Sequence, residues 1–271
     1  MSKGTLSSGN LRLAVLIDAE NVPRNCIKSV MEEIAIYGTP TIKRIYGDWT
    51  NPANSGWKNA LLEHAITPIQ QYSYTQGKNS TDSAMIIDAM DILYTEKTDG
   101  FVIVSSDSDF TRLAIRLREA GQRVIGIGEK KTPSAFIAAC DKFTYIEVIR
   151  DAFMEKLEDE KPPEEEKAKT SDRSRARASG AIKPRTKIPE PVIQMLADSV
   201  ADLAGDNEWV FMGDLGNLII KKQPDFDHRN YGFKSLSALI KSIDRFEVDF
   251  RQTADPNIKH PYVRDREARE T

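Results

Sequence analysis

The chain has 271 residues, 40% of them hydrophobic and 29% charged, with a formal net charge of -3, a globular composition with room for two modest domains. No apolar run reaches the roughly eighteen residues that a membrane-spanning helix needs, and residues 1–10 lack the apolar core of a secretory leader, so the expected setting is the cytoplasm with no membrane partner. The acidic balance excludes a broadly basic nucleic-acid binder and leaves local patches for that role; Cys26 and Cys140, each among apolar neighbours, read as buried free thiols and not as a zinc or disulfide framework.

In chain order, residues 13–17 (Leu-Ala-Val-Leu-Ile) form an unbroken apolar run, the pattern of a strand buried on both faces. Pro23 suits the first turn of a helix running to about Tyr37, which Gly38 ends. Strands are predicted over 41–46 and 67–72, with a short helix over 57–64 between them. The spacing of Ala84, Met85, Ile87, Ala89, Met90 and Leu93 predicts a helix over 82–94. A second buried strand follows at 101–104, a helix at 110–120 stopped by Gly121, and a third apolar run at 124–127. A helix near 134–139 and a strand at 143–146 complete the series. Strands alternating with helices imply an α/β fold with a doubly wound parallel sheet. Gly126-Ile-Gly128 is half a dinucleotide fingerprint and is assigned to a turn at a strand end.

Residues 155–188 change character, first acidic with Pro162-Pro163, then basic with small polar fillers. Neither part can bury a core, so the stretch is expected to be a charged, disordered linker between a domain at 1–154 and another at 189–271. In the second domain an amphipathic helix is predicted over 192–203 and an extended piece over 209–212. A helix over 215–220 capped by Asp214, a helix over 235–243 after Tyr231-Gly232-Phe233, and a strand over 246–250 follow. Three helices and a terminal strand suggest a small, mainly α winged-helix domain.

Functional residues of an open parallel sheet collect beyond the C-terminal strand ends, near the point where strand order reverses. Asp18 follows the first buried strand, Asp107 and Asp109 follow the 101–104 strand, and Asp82 opens the helix after the third strand. If the two buried strands are neighbours, Asp18, Asp107 and Asp109 share one pocket that Asp82 can join. Crowded carboxylates repel, and a hard divalent cation relieves that repulsion; all-oxygen ligands favour Mg²⁺ or Mn²⁺ over zinc. Such a cluster suits phosphodiester hydrolysis, with Asn21 orienting the site from the start of the first helix. Taken singly, Asp18, Asp82 and Asp109 also fit helix N-caps.

Leu-Ile-Asp18-Ala-Glu-Asn21, then Lys78 to Asp82, then Val-Ser-Ser106-Asp107-Ser-Asp109-Phe110 together resemble the NYN domain, a relative of the PIN-like nucleases. The resemblance covers about residues 11–149. It implies a PIN-like fold and a divalent-metal ribonuclease, acting as an endonuclease on RNA. It also implies an acidic set of Asp18, Asp82, Asp107 and Asp109, with Asn21 at a named motif position and Lys78 at a basic one. A non-catalytic RNA-binding or adaptor protein is the alternative. Gly77-Lys78-Asn79-Ser80 resembles the end of a P-loop, but Tyr72 stands where its first glycine belongs.

Lys130 and Lys131 follow a strand end on the presumed active edge and suit either phosphate contact or a solvated turn. Trp49 and Trp57 flank a polar loop, where stacking on bases and core packing are both open. His64, His228 and His260 have no evident functional partner. About residues 188–264 resemble the OST-HTH, or LOTUS, winged-helix domain, on Tyr231-Gly232-Phe233-Lys234-Ser235-Leu236 and the preceding helix. That resemblance implies RNA binding, for which Lys221, Lys222, Arg229, Lys234 and Lys241 offer a basic face; protein docking is the other reading.

Overall fold

Strand β1 (Arg12–Asp18) is apolar from residue 13 to residue 17 because both of its faces are covered. Leu13, Val15 and Ile17 enter one core, and Ala14 and Leu16 enter another. The structure, a computed structural model, describes residues 11–72, 80–95, 97–159, 187–205, 208–252 and 259–270. The chain divides into two units, residues 1–151 with 223–225 and residues 152–222 with 226–271.

In the first unit β1 is joined by β2 (Thr39–Gly47), β3 (Thr67–Gln70), β4 (Gly100–Val104), β5 (Arg123–Gly128) and β6 (Lys142–Tyr145). The sheet order is β3-β2-β1-β4-β5-β6, and every neighbouring pair is parallel. One face is covered by α1 (Ile27–Tyr37), α2 (Lys58–His64) and the start of α6 (Ile146–Asp159) through Ile27, Val30, Ile34, Leu61, Ile146 and Ile149. The other is covered by α3 (Ser80–Thr95), α4 (Thr111–Glu119) and α5 (Ser134–Ala139) through Met85, Ala89, Ile92, Leu113, Leu117 and Phe136. The result is a doubly wound α/β sheet of the PIN-like kind. Its order reverses between β1 and β4, so the crevice for chemistry opens beyond those two strand ends.

Several boundaries differ from expectation. The first helix begins at Ile27, after a 3₁₀ turn over Arg24–Cys26, because Pro23 is extended and caps the turn instead of entering the helix. Trp57 closes another 3₁₀ turn, Pro52–Trp57, ahead of α2. The sequence reading contained no helix at α6, whose first turn buries Ile146, Val148 and Ile149. Its polar remainder is rich in good helix formers and reaches Asp159, inside the stretch expected to be a linker; residues 160–186 lie outside the described residues. No described helix is long and apolar enough to cross a membrane.

The second unit builds one core from α7 (Glu190–Leu203), α8 (Met212–Lys222) and α9 (Leu236–Lys241) against a small antiparallel sheet. That sheet comprises β7 (Val210–Phe211), β8 (Phe246–Gln252) and β9 (Lys259–Asp265) in the order β7-β9-β8. Ser235 caps α9 by accepting from the Ala238 amide at 3.1 Å. Asp214 is no cap: α8 starts earlier, at Met212, and Asp214 lies in its first turn, where a carboxylate favours the helix dipole. Phe233 and Leu239 enter the core, so part of the Tyr231–Leu236 motif holds α9 in place.

The expected turn at Gly126 is instead the middle of β5. A Cβ there would lie 2.5 Å from the Phe143 ring and 2.8 Å from the Cys140 sulfur, so those side chains occupy the space a larger residue needs. A Cβ at Gly128 would meet the Ser105 carbonyl oxygen at 2.6 Å, at the rim of the crevice. Gly126→Ala is expected to cost the first unit about 1–3 kcal/mol by overpacking, read as a lower urea midpoint by circular dichroism. An unchanged midpoint would mean that Phe143 moves aside at no cost.

Candidate functional site

Asp18 ends β1, and its side chain is 1% exposed. A buried carboxylate survives when donors replace its water. The Glu20 amide donates to Asp18 Oδ1 at 3.0 Å, while the Asn21 side-chain amide at 2.7 Å and the Ser105 hydroxyl at 2.8 Å both donate to Oδ2. Ser105 comes from the end of the neighbouring strand, where Ile17 is in register with Val104. Its oxygen also accepts from the Asp107 amide at 3.1 Å, and Asp107 Oδ1 accepts from the Asp109 amide at 2.9 Å as the cap of the turn leading to α4. Asp82 lies in the first turn of α3, and Thr81 beside it donates to Glu20 Oε1 at 3.2 Å.

These elements bring Asp82, Asp107 and Asp109 together, each with a carboxylate oxygen within 4.8 Å of the others. Asp18 lies outside that trio but close enough to act on it. The Asp82 carboxyl is pushed up to about 7, first by burial and then by the charges of Asp18, Asp107, Asp109 and Glu20. The donor set is all oxygen, converges on one point and crowds negative charge around Asp82, and a hard divalent cation fits these conditions. None of Asp18, Asp82 and Asp109 serves as the expected N-cap: Asp18 ends β1, Asp82 lies within the first turn of α3 and Asp109 within a 3₁₀ turn, whose cap is Asp107.

The sequence therefore located the acids but missed the hydroxyls and Glu20. Ser105 and Ser106 were visible only as polar residues ending an apolar strand. The structure makes Ser105 the bridge between the two strand ends, and Ser106 accepts from the Glu129 amide at 2.8 Å. Asn21 precedes α1 and touches Asp18 directly. Lys78 lies outside the described residues. The Lys130 amide donates to the Glu147 carboxylate at 3.0 Å, and Lys131 pairs with Glu129 at 2.6 Å. Trp57 is buried, and Trp49 packs beside it with its indole N–H on the Ile69 carbonyl at 2.9 Å, so core packing is the outcome for both. Cys26 and Cys140 are buried free thiols, and burial pushes Cys140 up to about 12.

In the second unit Lys222 pairs with Asp202 and Arg229 with Asp227 at 2.7 Å. Lys221, Lys234 and Lys241 are exposed. The ring of His228 shares a hydrogen bond with the Phe233 carbonyl at 2.7 Å, a structural tie across the Tyr231-Gly232-Phe233 turn.

Comparison with known proteins matches residues 12–147 to the NYN domain and residues 186–258 to the OST-HTH/LOTUS domain, in that order. An uncharacterised protein of Methanocaldococcus jannaschii is 26% identical over 166 residues, covering 59% of this chain and 65% of that protein. A crystal structure of a protein of unknown function from Vibrio parahaemolyticus aligns with a TM-score of 0.45 at 19% identity, over 52% of this chain and 96% of that one. A solution structure of an uncharacterised Nitrosomonas europaea protein aligns with a TM-score of 0.28 at 33% identity, over 36% of this chain and 92% of that one.

The raised Asp82 carboxyl makes the metal-free protein pH-sensitive. Asp82 binds its proton more tightly folded than unfolded, so it stabilises the fold least once pH exceeds its folded value near 7. That deficit shrinks as pH falls and is gone below the unfolded aspartate range, about 4. Asp82→Asn should therefore raise the melting temperature in EDTA at pH 8, with the gain fading toward pH 4. A gain that is equal at both pH values would contradict the charge crowding.

Proposed function

This chain belongs to the NYN domain family, and from that premise we propose that it is a divalent-metal-dependent ribonuclease that hydrolyses RNA phosphodiester bonds, as an endonuclease, with a C-terminal unit that recruits RNA. The observation that carries the reading is the convergence of Asp82, Asp107 and Asp109 within 4.8 Å at the switch point of the sheet.

These three carboxylates are proposed to hold Mg²⁺ or Mn²⁺. Asp18 adds the acceptor capacity left after its three hydrogen bonds. A cation there supplies Lewis-acid polarisation of the scissile phosphate and offsets charge on the leaving oxygen. Ser105 and Asn21 act by fixing Asp18, and Asp107 is fixed in turn by its cap to Asp109. Lys78, outside the described residues, and Lys130 remain proposed phosphate contacts, with Lys131 limited by its pair to Glu129. In the second unit Lys221, Lys222, Arg229 and Lys234 remain proposed RNA contacts, and Lys222, Arg229 and Lys234 must each exchange an acidic partner for phosphate.

Two measurements test this. Mn²⁺-dependent cleavage of an unstructured RNA should fall about a hundredfold or more in Asp107→Asn, with the fold intact because a charge leaves a repelling cluster. Equal cleavage by mutant and wild type would remove the carboxylates from catalysis and leave an RNA-binding adaptor as the better account. Separately, Mg²⁺ or Mn²⁺ should stabilise the wild type by about 2–3 kcal/mol at roughly a hundred times its dissociation constant, and EDTA should reverse it. No shift in melting temperature at millimolar metal would argue against a metal site.

A further inference from the structure

The antiparallel sheet of the second unit has one face in the core and one face out. Val210, Phe246, Val248 and Val263 pack inward. Alternation along the strands then turns Phe211, Arg251, His260, Tyr262 and Arg264 the other way. Such a solvent face is ordinarily polar. Here it carries an interleaved array of rings and guanidinium groups. The Arg251 carbon Cζ lies 4.9 Å from the Trp209 ring centre and 4.7 Å from that of Tyr262, and Arg264 Cζ lies 4.8 Å from Trp209. Phe211 meets the His260 ring edge-on at 5.2 Å and the Tyr262 ring at 5.7 Å.

We propose that this outer sheet face is a stacking platform for the bases of single-stranded RNA. The inference rests on the reading that the second unit recruits RNA, and it names the surface that does so. Three features favour that ligand. The array contains no aliphatic side chain, and its rings stand at angles to one another, so it offers π-faces, ring edges and N–H donors instead of the apolar bulk a protein anchor fills. Only unpaired bases expose faces to such a surface; a duplex hides them. The end of the sheet where β8 finishes and β9 begins carries Arg251, Lys259 and His260 against Asp249, which suits a polyanion. At the other end Glu247 grips Arg264 at 2.7 Å and holds its plane against Trp209. The cations Lys222 and Arg229 are likewise ion-paired.

The test is fluorescence anisotropy of the full chain with a labelled oligouridylate of about twelve nucleotides, in EDTA so that nothing is cleaved. Arg251→Lys keeps the charge and loses the plane. It should weaken binding about tenfold while leaving the salt slope unchanged. Tyr262→Ala should weaken binding similarly, Tyr262→Phe should not, and a duplex of equal length should bind at least about tenfold more weakly. Wild-type affinity in a normally melting Arg251→Lys protein, or equal binding of duplex and single strand, overturns the proposal. Arg251 is exposed, so that variant tests the proposal even if Tyr262→Ala fails to fold. Because binding is read without metal, loss of the ribonuclease reading would leave this result standing. Intact cleavage with unchanged binding in these variants would sink the platform alone.

Discussion

Two parallel strands that end side by side set the conditions for the rest of the first unit. With Ile17 in register with Val104, the residues just beyond β1 and β4 emerge together. Those residues include acids from both chain segments. Asp18 is nearly sealed from water, and three donors from its own loop and from Ser105 make its charge tolerable. The neighbouring trio brings three carboxylates within 4.8 Å of one another. Its cost shows at Asp82, where burial and four other carboxylates oppose ionisation. Charge crowding of this sort at one rim of a sheet marks a candidate place for a ligand.

Much of this was legible without coordinates. The apolar runs at 13–17, 101–104 and 124–127 could only be strands covered on both faces, and they became β1, β4 and β5. Asp18 and Asp107 follow two such strands, so both reach one edge on condition that the strands are neighbours, and β1 and β4 do pair. Periodicity could not reveal which acids come closest, because this depends on how α3 and the turn before α4 approach the edge. Ser105 was hidden for a similar reason: a serine after a strand carries no pattern, and its role appears only when Asp18 lies within 2.8 Å. Gly126 was misread as a turn because glycine is the commonest turn signal, and here Phe143 requires its missing Cβ. β9 went unseen because Pro261 and the charged residues around it read as loop, yet β7 pairs only with Tyr262 and Val263, so on that side Pro261 stands at an edge, where proline is tolerated.

The two units place binding groups in opposite ways, and sheet type is the reason. Parallel strands linked by helices are covered on both faces, so the first unit can present chemistry only at its strand ends. Acids delivered to one rim by the end of β1, the turn after β4 and the first turn of α3 are the consequence. The antiparallel sheet of the second unit has helices on one side only, which leaves a whole face for side chains that alternate with the core. Glu247 and Asp249 hold Arg264 and Arg251 in place there, and each guanidinium lies against a ring. Those contacts fix long side chains before any ligand arrives, which lowers the ordering cost of binding. The acids on this face therefore do more than cancel charge. They hold the two guanidinium groups against the Trp209 and Tyr262 rings on a face that carries no basic excess.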